Sequence, residues 1–302
     1  MSEARSQAVA PVAVVGERGA EARRGDWSVL LSALCFSTMP IFGTLAYAAG
    51  VSVVPLLAWR FVLAVALLVV ILILSGRREP PPRRKVAGFL GMGGMYLVMS
   101  FIYFSALKLA PISTLTLLFY TYPAFVTLLA AVVLRERITG TKAWALTLAL
   151  GGCLLVVRPS ELGNWRGAVL ALAASLLYSG FLLVATPLIR GTDAVLATAW
   201  IMSVCALGYL TAALFQGTLT PPRTVAAWGP ILGIAAVATV MSDVSFFWGL
   251  PRTGASRAAI LSTVEPLCTL ALSALLLGEA IPSARFAGGI LILASVVLIH
   301  RA

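Results

Sequence analysis

Three ionisable side chains lie inside long apolar stretches of this sequence. Arg60, Asp243 and Glu265 are each flanked mainly by aliphatic and aromatic residues. A charge at the centre of a membrane-spanning helix costs at least about 2.5–3.5 kcal/mol, so such residues usually face a partner or a water-filled cavity. These three positions are therefore the first candidates for a functional site within a membrane.

Each of the three has a functional and a structural interpretation. Glu265 lies ten residues into its apolar run, near the membrane centre at about 1.5 Å per residue. It could bind the ammonium group of a substrate or carry a proton, but burial favours the uncharged carboxyl, so a structural role is the alternative. Asp243 lies closer to the cytoplasmic end and is a candidate for substrate contact, a salt bridge or helix packing. Arg60 is favoured as a structural ion-pair residue over a substrate contact.

Polar and aromatic side chains also follow single helix faces. One face carries them at intervals of four and three residues, and the same face recurs 143 positions later. The first set is Tyr96, Ser100 and Tyr103, and the second is Thr239, Asp243 and Phe246. Equivalent faces of two related units should both turn towards their common axis, so we expect these residues to line a shared cavity. Further cavity candidates are Thr116, Tyr120 and Tyr178.

Four prolines fall within the apolar runs: Pro40, Pro123, Pro187 and Pro266. Each lacks a backbone N–H, so a carbonyl within the span must find another partner. We interpret them as hinges beside a central cavity, with static kinks used for packing as the alternative.

Other kinds of chemistry lack their motifs here. There is no Gly-x-x-x-x-Gly-Lys-Ser/Thr loop, and the only histidine is His300. The four cysteines, Cys35, Cys153, Cys205 and Cys268, are isolated within apolar runs and have no metal-like or disulfide-like spacing. We therefore expect no metal or other cofactor and no enzymatic activity. An integral-membrane enzyme or a structural subunit is the alternative from another functional class.

The composition is that of an integral membrane protein. The 302 residues are 60% hydrophobic and 11% charged, with a mean hydropathy of +1.00, whereas soluble domains are about 45–50% apolar and about 25% charged. The sequence predicts ten spanning helices. They are Trp27–Ala49, Val53–Ser75, Val86–Leu109, Ile112–Leu134, Lys142–Val157, Gly167–Ile189, Ala194–Gln216, Val225–Leu250, Ala255–Leu277 and Ser283–His300.

The second half of the chain repeats the first without a gap over the matching region. Pro266 and Glu279 lie 143 positions after Pro123 and Glu136. Ten spans in two repeats give five spans each, and an odd number places the second copy upside down. We predict an all-α membrane protein of two inverted five-helix repeats, residues 27–158 and 165–302, after a flexible cytoplasmic tail of residues 1–26. Most basic residues fall in loops on one side, which places both termini in the cytoplasm.

These segments resemble the EamA-type branch of the drug/metabolite transporter superfamily. The resemblance rests on Arg60 in the second span, Ala106-Leu107-Lys108 after the third, the paired prolines Pro123 and Pro266, and the helix-end residues Glu136 and Glu279. The first span departs from the family by having Phe36 and Ser37 where Trp-Gly is common. The resemblance implies a ten-helix inner-membrane carrier that typically exports amino acids or other metabolites.

The sequence thus predicts a secondary carrier that exports small amphipathic metabolites, with amino acids, including aromatic ones, as the leading class. The solute would bind in a cavity between the two halves, and rocking of the halves would expose the cavity alternately to each side. A broad-specificity multidrug exporter is the nearest alternative. The expected partners are a small solute and membrane lipid, without nucleic acid, and a monomer and a homodimer both remain open.

Overall fold

The architecture is defined by a computed structural model that describes residues 12–76, 81–109, 115, 118–156, 165–219, 221–222, 224–277 and 283–301. All of the regular secondary structure in these ranges is helical. The helices are α1 (Val12–Phe36), α2 (Met39–Ala48), α3 (Val53–Leu74), α4 (Arg83–Leu109), α5 (Tyr122–Val133), α6 (Gly140–Val156), α7 (Trp165–Ile189), α8 (Ala194–Phe215), α9 (Val225–Ala235), α10 (Ser242–Thr253), α11 (Ala255–Leu261), α12 (Val264–Leu277) and α13 (Ser283–Arg301). A π-helical turn, Ala236–Met241, joins α9 to α10.

Six helical stretches are long and apolar enough to cross a membrane. They are Ala20–Ala48, Val53–Leu74, Arg83–Leu109, Trp165–Ile189, Ala194–Phe215 and Val225–Thr253. The apolar helices Tyr122–Val133 and Ala287–Ile299 are shorter. The predicted all-helical membrane class is therefore confirmed, whereas the count of ten spans remains a prediction.

The N-terminal helix begins earlier than the sequence predicted. We expected a flexible tail up to residue 26, but α1 already begins at Val12. The polar residues of this segment have partners: Asp26 is fully buried and pairs with Arg257, and Glu21 lies 3.5 Å from Arg252. Gly25 also packs closely on α10, where a Cβ at this position would lie 2.7 Å from the Cβ of Arg252. Pairing with distant arginines, which the local sequence does not reveal, explains the difference.

The most extensive helix contacts join the two halves of the chain. Helix α1 packs on α10, α3 on α8, α4 on both α7 and α8, and α6 on α13. The last of these contacts is very close, because a Cβ at Gly152 would lie only 2.7 Å from the carbonyl oxygen of Gly288. The two halves therefore share one buried core.

Three helix breaks lie at Ser37–Thr38, Tyr120–Thr121 and Ser262–Thr263. Pro40 and Pro123 occupy the first turn of the helix that follows a break, and Pro266 is the third residue of α12. From the sequence we expected each proline to remove a backbone hydrogen bond inside a span. For these three the structure corrects this, since the helix stops and restarts just before each of them. A proline near the start of a helix removes an N–H that has no intrahelical partner.

Side chains from neighbouring helices satisfy the backbone at these breaks. The Thr269 hydroxyl donates to the carbonyl oxygen of Ser37 at 3.1 Å, and the Ser179 hydroxyl donates to that of Tyr122 at 3.3 Å. Pro187, in contrast, lies inside the last turns of α7. Hydroxyls thus replace the missing helical partners, as buried membrane backbone requires.

Candidate functional site

A cavity of about 50 Å³ lies at the centre of the helices, next to the first break. It is lined by residues from the α1–α2 break, α3, α4, the segment before α5, α7 and α12. These residues are Phe36, Met39, Arg60, Tyr96, Met99, Ser100, Tyr103, Phe104, Phe119, Tyr178 and Glu265. The lining combines rings and thioethers with a few hydroxyls and two ionisable groups, which suits an amphipathic solute.

Arg60 is almost completely buried and has several partners. Its Nε donates to the Thr239 hydroxyl at 2.8 Å, and its Nη2 donates to the Tyr96 hydroxyl at 3.3 Å. The Tyr96 hydroxyl in turn donates to Asp243 Oδ2 at 3.3 Å. The guanidinium also lies over the Phe61 ring, 4.7 Å from its centre. Arg60 and Asp243 are therefore linked through Tyr96, with aromatic faces adding to the stabilisation of the cation.

The π-helical turn positions Thr239 for this contact. The Thr239 hydroxyl donates to the carbonyl oxygen of Ile234, five residues earlier, at 2.8 Å while it accepts from Arg60. Single π turns inside helices are frequent at functional sites. The turn also inserts an extra residue, which rotates the helix face that follows it.

Glu265 lies in the first turn of α12, directly after the third break, and faces the cavity. The partial positive charge at a helix N-terminus favours a carboxylate there. Within the described residues, no lysine or arginine forms an ion pair with Glu265. The Tyr120 hydroxyl is buried beside the carboxyl without a hydrogen bond of good geometry.

Aromatic rings form a continuous wall beside Glu265. The ring centres of Tyr103 and Phe119 are 5.2 Å apart, and those of Phe119 and Tyr178 are 5.5 Å apart. Tyr178 also meets Tyr122 edge-on at 4.9 Å. Aromatic rings at these separations attract one another, so these residues pack as one wall.

The structure brings most of the predicted site residues together. The cavity lining includes Arg60, Tyr96, Ser100, Tyr103, Tyr178 and Glu265. Thr239 and Asp243 lie just behind it as partners of Arg60 and Tyr96, and Tyr120 lies beside Glu265. Thr116 is outside the described residues.

Phe246 does not line the cavity, although the sequence placed it on the same face as Thr239. It is buried and packs against Phe247, with ring centres 6.1 Å apart. The physical reason is that Phe246, one turn beyond Asp243 in α10, belongs to the buried apolar core between the helices.

Sequence analysis missed the apolar part of the lining, including Phe36, Met39 and Phe119. In a chain that is 60% hydrophobic, an apolar residue gives no signal of its own. The breaks before Pro40 and Pro123 could have pointed to their immediate neighbours.

A second set of charged residues, which we call the end cluster, meets at the start of α11. It consists of Asp26, Glu136, Lys142, Ser256 and Arg257. Both oxygens of Asp26 accept from Arg257, at 3.1 and 2.6 Å, and Glu136 accepts from Ser256 at 2.7 Å and from Lys142 at 3.1 Å. Burial alone would raise the pKa of Glu136, but these hydrogen bonds outweigh it and lower the pKa below its usual value.

The family follows from the match of the whole chain with known proteins. The EamA-like transporter family matches residues 23–158 and, a second time, residues 165–301. The chain belongs to the EamA-like transporter family. It is a multi-pass membrane protein of a transporter family and not of an enzyme family, which confirms the family and the class of activity that the sequence predicted.

Several relatives of this EamA-like protein have names. It is 28% identical over 276 residues to the uncharacterized transporter YcbK of Bacillus subtilis, covering 86% of this chain and 87% of that protein. It is 24% identical to the pseudopaline exporter CntI of Pseudomonas aeruginosa (70% and 72% covered). It is 30% identical to a probable terminal-alkyne amino-acid exporter of Streptantibioticus cattleyicolor (63% and 65% covered).

A solved crystal structure shares the fold of this EamA-like chain. The two superpose with a TM-score of 0.75 and cover 91% of this chain and 95% of the other, at 20% sequence identity. The similarity shows a common arrangement of helices over almost the full length.

Proposed function

We propose that this EamA-like protein is a secondary carrier that exports small amphipathic metabolites, with amino acids as the leading class. The central observation is the cavity between the two halves, where hydroxyls and ionisable groups lie opposite aromatic rings. Two relatives at low identity are named as exporters. One is a pseudopaline exporter, and the other is a probable terminal-alkyne amino-acid exporter. The second of these names agrees with export of amino acids.

The proposed architecture is two inverted five-helix repeats, residues 27–158 and 165–302, forming ten spans with both termini in the cytoplasm of an inner membrane. The pattern of helix contacts supports it. Shifting by the repeat exchanges α3 with α8 and α6 with α13, and each of these is a contacting pair. The same shift converts the contact of α1 with α10 into that of α7 with α4. A pseudo-two-fold relation between the halves explains this exchange.

Alternating access would require the cavity to enlarge. Ligand sites typically measure about 300–1,000 Å³, whereas this cavity measures about 50 Å³, so the conformation seen is closed around a space for a few water molecules. The breaks before Pro40, Pro123 and Pro266 lack continuous helical hydrogen bonds, and we assign them as the hinges about which the halves separate. Pro187, near the end of α7, is a further hinge candidate.

In the open state, Tyr96, Ser100 and Tyr103 would hydrogen-bond the polar part of the solute, and Phe36 and Met99 would contact its apolar part. Broad-specificity multidrug export is the second candidate. It is favoured by Met39 and Met99 in the lining, because flexible thioethers adapt to different ligand shapes.

Transport into liposomes tests the carrier function. The full-length protein would be reconstituted into liposomes loaded with a mixture of amino acids and other metabolites, and efflux of each solute measured by mass spectrometry. We expect saturable efflux of a restricted set of amphipathic solutes. Equal efflux of many unrelated drugs would favour multidrug export, and efflux equal to that of protein-free liposomes would contradict a carrier.

Two phenylalanine variants provide a matched comparison. Phe119→Leu changes the cavity wall, whereas Phe215→Leu makes the same change at a side chain that is 89% exposed. We expect the first variant to lower efflux about tenfold or more and the second to leave it within about twofold, since a buried aromatic contact with a ligand is worth about 1–2 kcal/mol. Equal effects would argue that the cavity is not on the transport path.

A further inference from the structure

Glu265 differs from the other ionisable groups of the cavity in having no counter-charge among the side chains that the structure describes. It faces the cavity, and no described lysine or arginine pairs with it. A carboxylate at membrane depth normally has a partner, so the missing partner of Glu265 is expected to come from outside the chain.

Arg60 is not available to provide that partner. Its guanidinium already donates to Thr239 and Tyr96, and through Tyr96 it is linked to Asp243. The faces of Phe61 and Phe104 cover it, with ring centres 4.7 and 5.5 Å away. With both carboxyls ionised, the one arginine and the two carboxylates leave the cavity with a net charge of −1.

The N-terminus of α12 offsets only part of this charge. A helix end is equivalent to roughly half an elementary charge. That is too little to offset the full negative charge of a carboxylate at membrane depth. A ligand that carries one positive charge would neutralise the remainder.

The surface opposite the carboxyl is also suited to a cation. Tyr103, Phe119 and Tyr178 line the same cavity. The ring centre of Phe119 lies 5.2 Å from that of Tyr103 and 5.5 Å from that of Tyr178. The negative face of an aromatic ring attracts ammonium groups within about 6 Å, and clusters of such rings recognise amines in other proteins. Carboxylate and rings together form a site for an organic ammonium ion.

We propose that Glu265 and the rings of Tyr103, Phe119 and Tyr178 bind the ammonium group of the transported solute. This inference rests on the carrier function proposed above and names the chemical group by which the cavity selects its solutes. It follows that the ammonium group is required for binding. A free carboxylate on the solute adds nothing to the affinity, because Arg60, the cation in the described lining, is already engaged. The solutes are primary amines and amino-acid derivatives with a free amino group.

Three probes that differ in charge test the selection. Phenylalanine amide carries one positive charge, phenylalanine is a zwitterion, and N-acetylphenylalanine has no ammonium group and one negative charge; leucine derivatives provide a parallel series. We expect binding to the full-length protein, measured by calorimetry in detergent, to be strongest for the amide. The acetylated probe should bind at least about tenfold more weakly than phenylalanine, as loss of a charged hydrogen bond predicts. Equal or tighter binding of the acetylated probes would overturn the proposal.

Variants at two glutamates locate the effect. Glu265→Gln should reduce the preference for the amide over the acetylated probe to about threefold or less, and Glu265→Asp, which keeps the charge, should retain most of it. Glu21→Gln makes the same change at a side chain that is 65% exposed and should retain the full preference. A Glu265→Gln protein with unchanged preference would contradict the assignment. If gel filtration shows that this variant does not fold, the proposal is tested by the order of the probe affinities for the unaltered protein and for Glu265→Asp.

Failure of this inference can be told apart from failure of the carrier function. Saturable efflux of other solutes from the metabolite-loaded liposomes, without preference for the ammonium-bearing probes, would overturn the ammonium site and leave the carrier intact. Absence of efflux of every solute together with absence of binding by all probes would contradict both.

Discussion

The two charged regions of this protein differ in how completely their carboxylates are paired. In the end cluster, Asp26 contacts Arg257 directly with both oxygens, and Glu136 contacts Lys142. In the cavity, Asp243 reaches Arg60 only through the Tyr96 hydroxyl, and Glu265 has no cationic partner among the described side chains. The carboxylates of the end cluster are each paired with a cation, whereas the Glu265 carboxyl has no cationic partner among the described side chains.

This difference separates residues that hold the halves together from residues that are available to a ligand. Arg257 and Ser256 lie at the start of α11, in the second half, and their partners Asp26 and Glu136 lie in the first half. Direct pairs across the interface stabilise one arrangement of the halves. Glu265 makes no such pair among the described residues, in agreement with the proposal that it binds a cation from outside the chain. Substitutions in the two regions should therefore have different consequences.

The largest effect on stability should come from removing the cavity cation. Arg60→Met keeps much of the side-chain volume but leaves Asp243 buried without its linked cation. Breaking a buried charge pair in this way costs about 3–5 kcal/mol. We expect a clear drop in the thermal unfolding midpoint, measured by intrinsic fluorescence in detergent, and partial recovery in the double variant Arg60→Met with Asp243→Asn. An unchanged midpoint would show that the two groups do not depend on each other.

A smaller loss is expected from the main pair of the end cluster. Asp26→Asn removes the charge that accepts both hydrogen bonds of Arg257. Because the Arg257 side chain is 18% exposed, water can replace part of the lost interaction, so we expect a cost of about 2 kcal/mol. Binding of the ammonium probes should remain within about twofold, measured by calorimetry. Loss of probe binding with unchanged stability would reverse the assignment of the two regions.

Thr239→Val should lower the stability less than Asp26→Asn does. It removes only one hydrogen-bond acceptor of Arg60 and keeps the shape of the side chain. A hydrogen bond to a charged group contributes about 1.5–3 kcal/mol, and the remaining contacts of Arg60 place this one at the lower end. The measurement is again the unfolding midpoint. Thr239→Ser, which keeps the hydroxyl, is the control and should lie closer to the unaltered protein than the valine variant does.

The smallest effect, under about 1 kcal/mol, is expected at Glu136, and its size depends on pH. Since the folded-state pKa of Glu136 is lowered, its contribution is fully present above the unfolded value near 4.5 and is lost as the pH falls through the folded value. The stability difference between the unaltered protein and Glu136→Gln should therefore be constant above about pH 6 and shrink below pH 4.5. A difference that grows on acidification would contradict the paired state of Glu136.

Much of the architecture and part of the site were predictable from the sequence. The apolar runs and the 143-residue repeat predicted a helical membrane transporter, and the spacing of Tyr96, Ser100 and Tyr103 placed these residues on the face that lines the cavity. Phe246 lies in the buried core outside the described cavity lining, because an aromatic residue in so apolar a chain does not reveal from the sequence whether it packs in the core or lines a cavity.

The sequence by itself determined that the chain lies in a membrane, that it is helical and that it contains a duplication. It also determined that three ionisable groups lie at membrane depth, since each of these features follows from local composition and spacing. The tertiary structure alone decided which of those groups are partnered. Arg60 and Thr239 are 179 positions apart, and Asp26 and Arg257 are 231 positions apart. Electrostatic energy depends on distances of a few ångströms in space, so only the packing of the two halves could bring these groups together and leave Glu265 without a counter-charge among the described side chains.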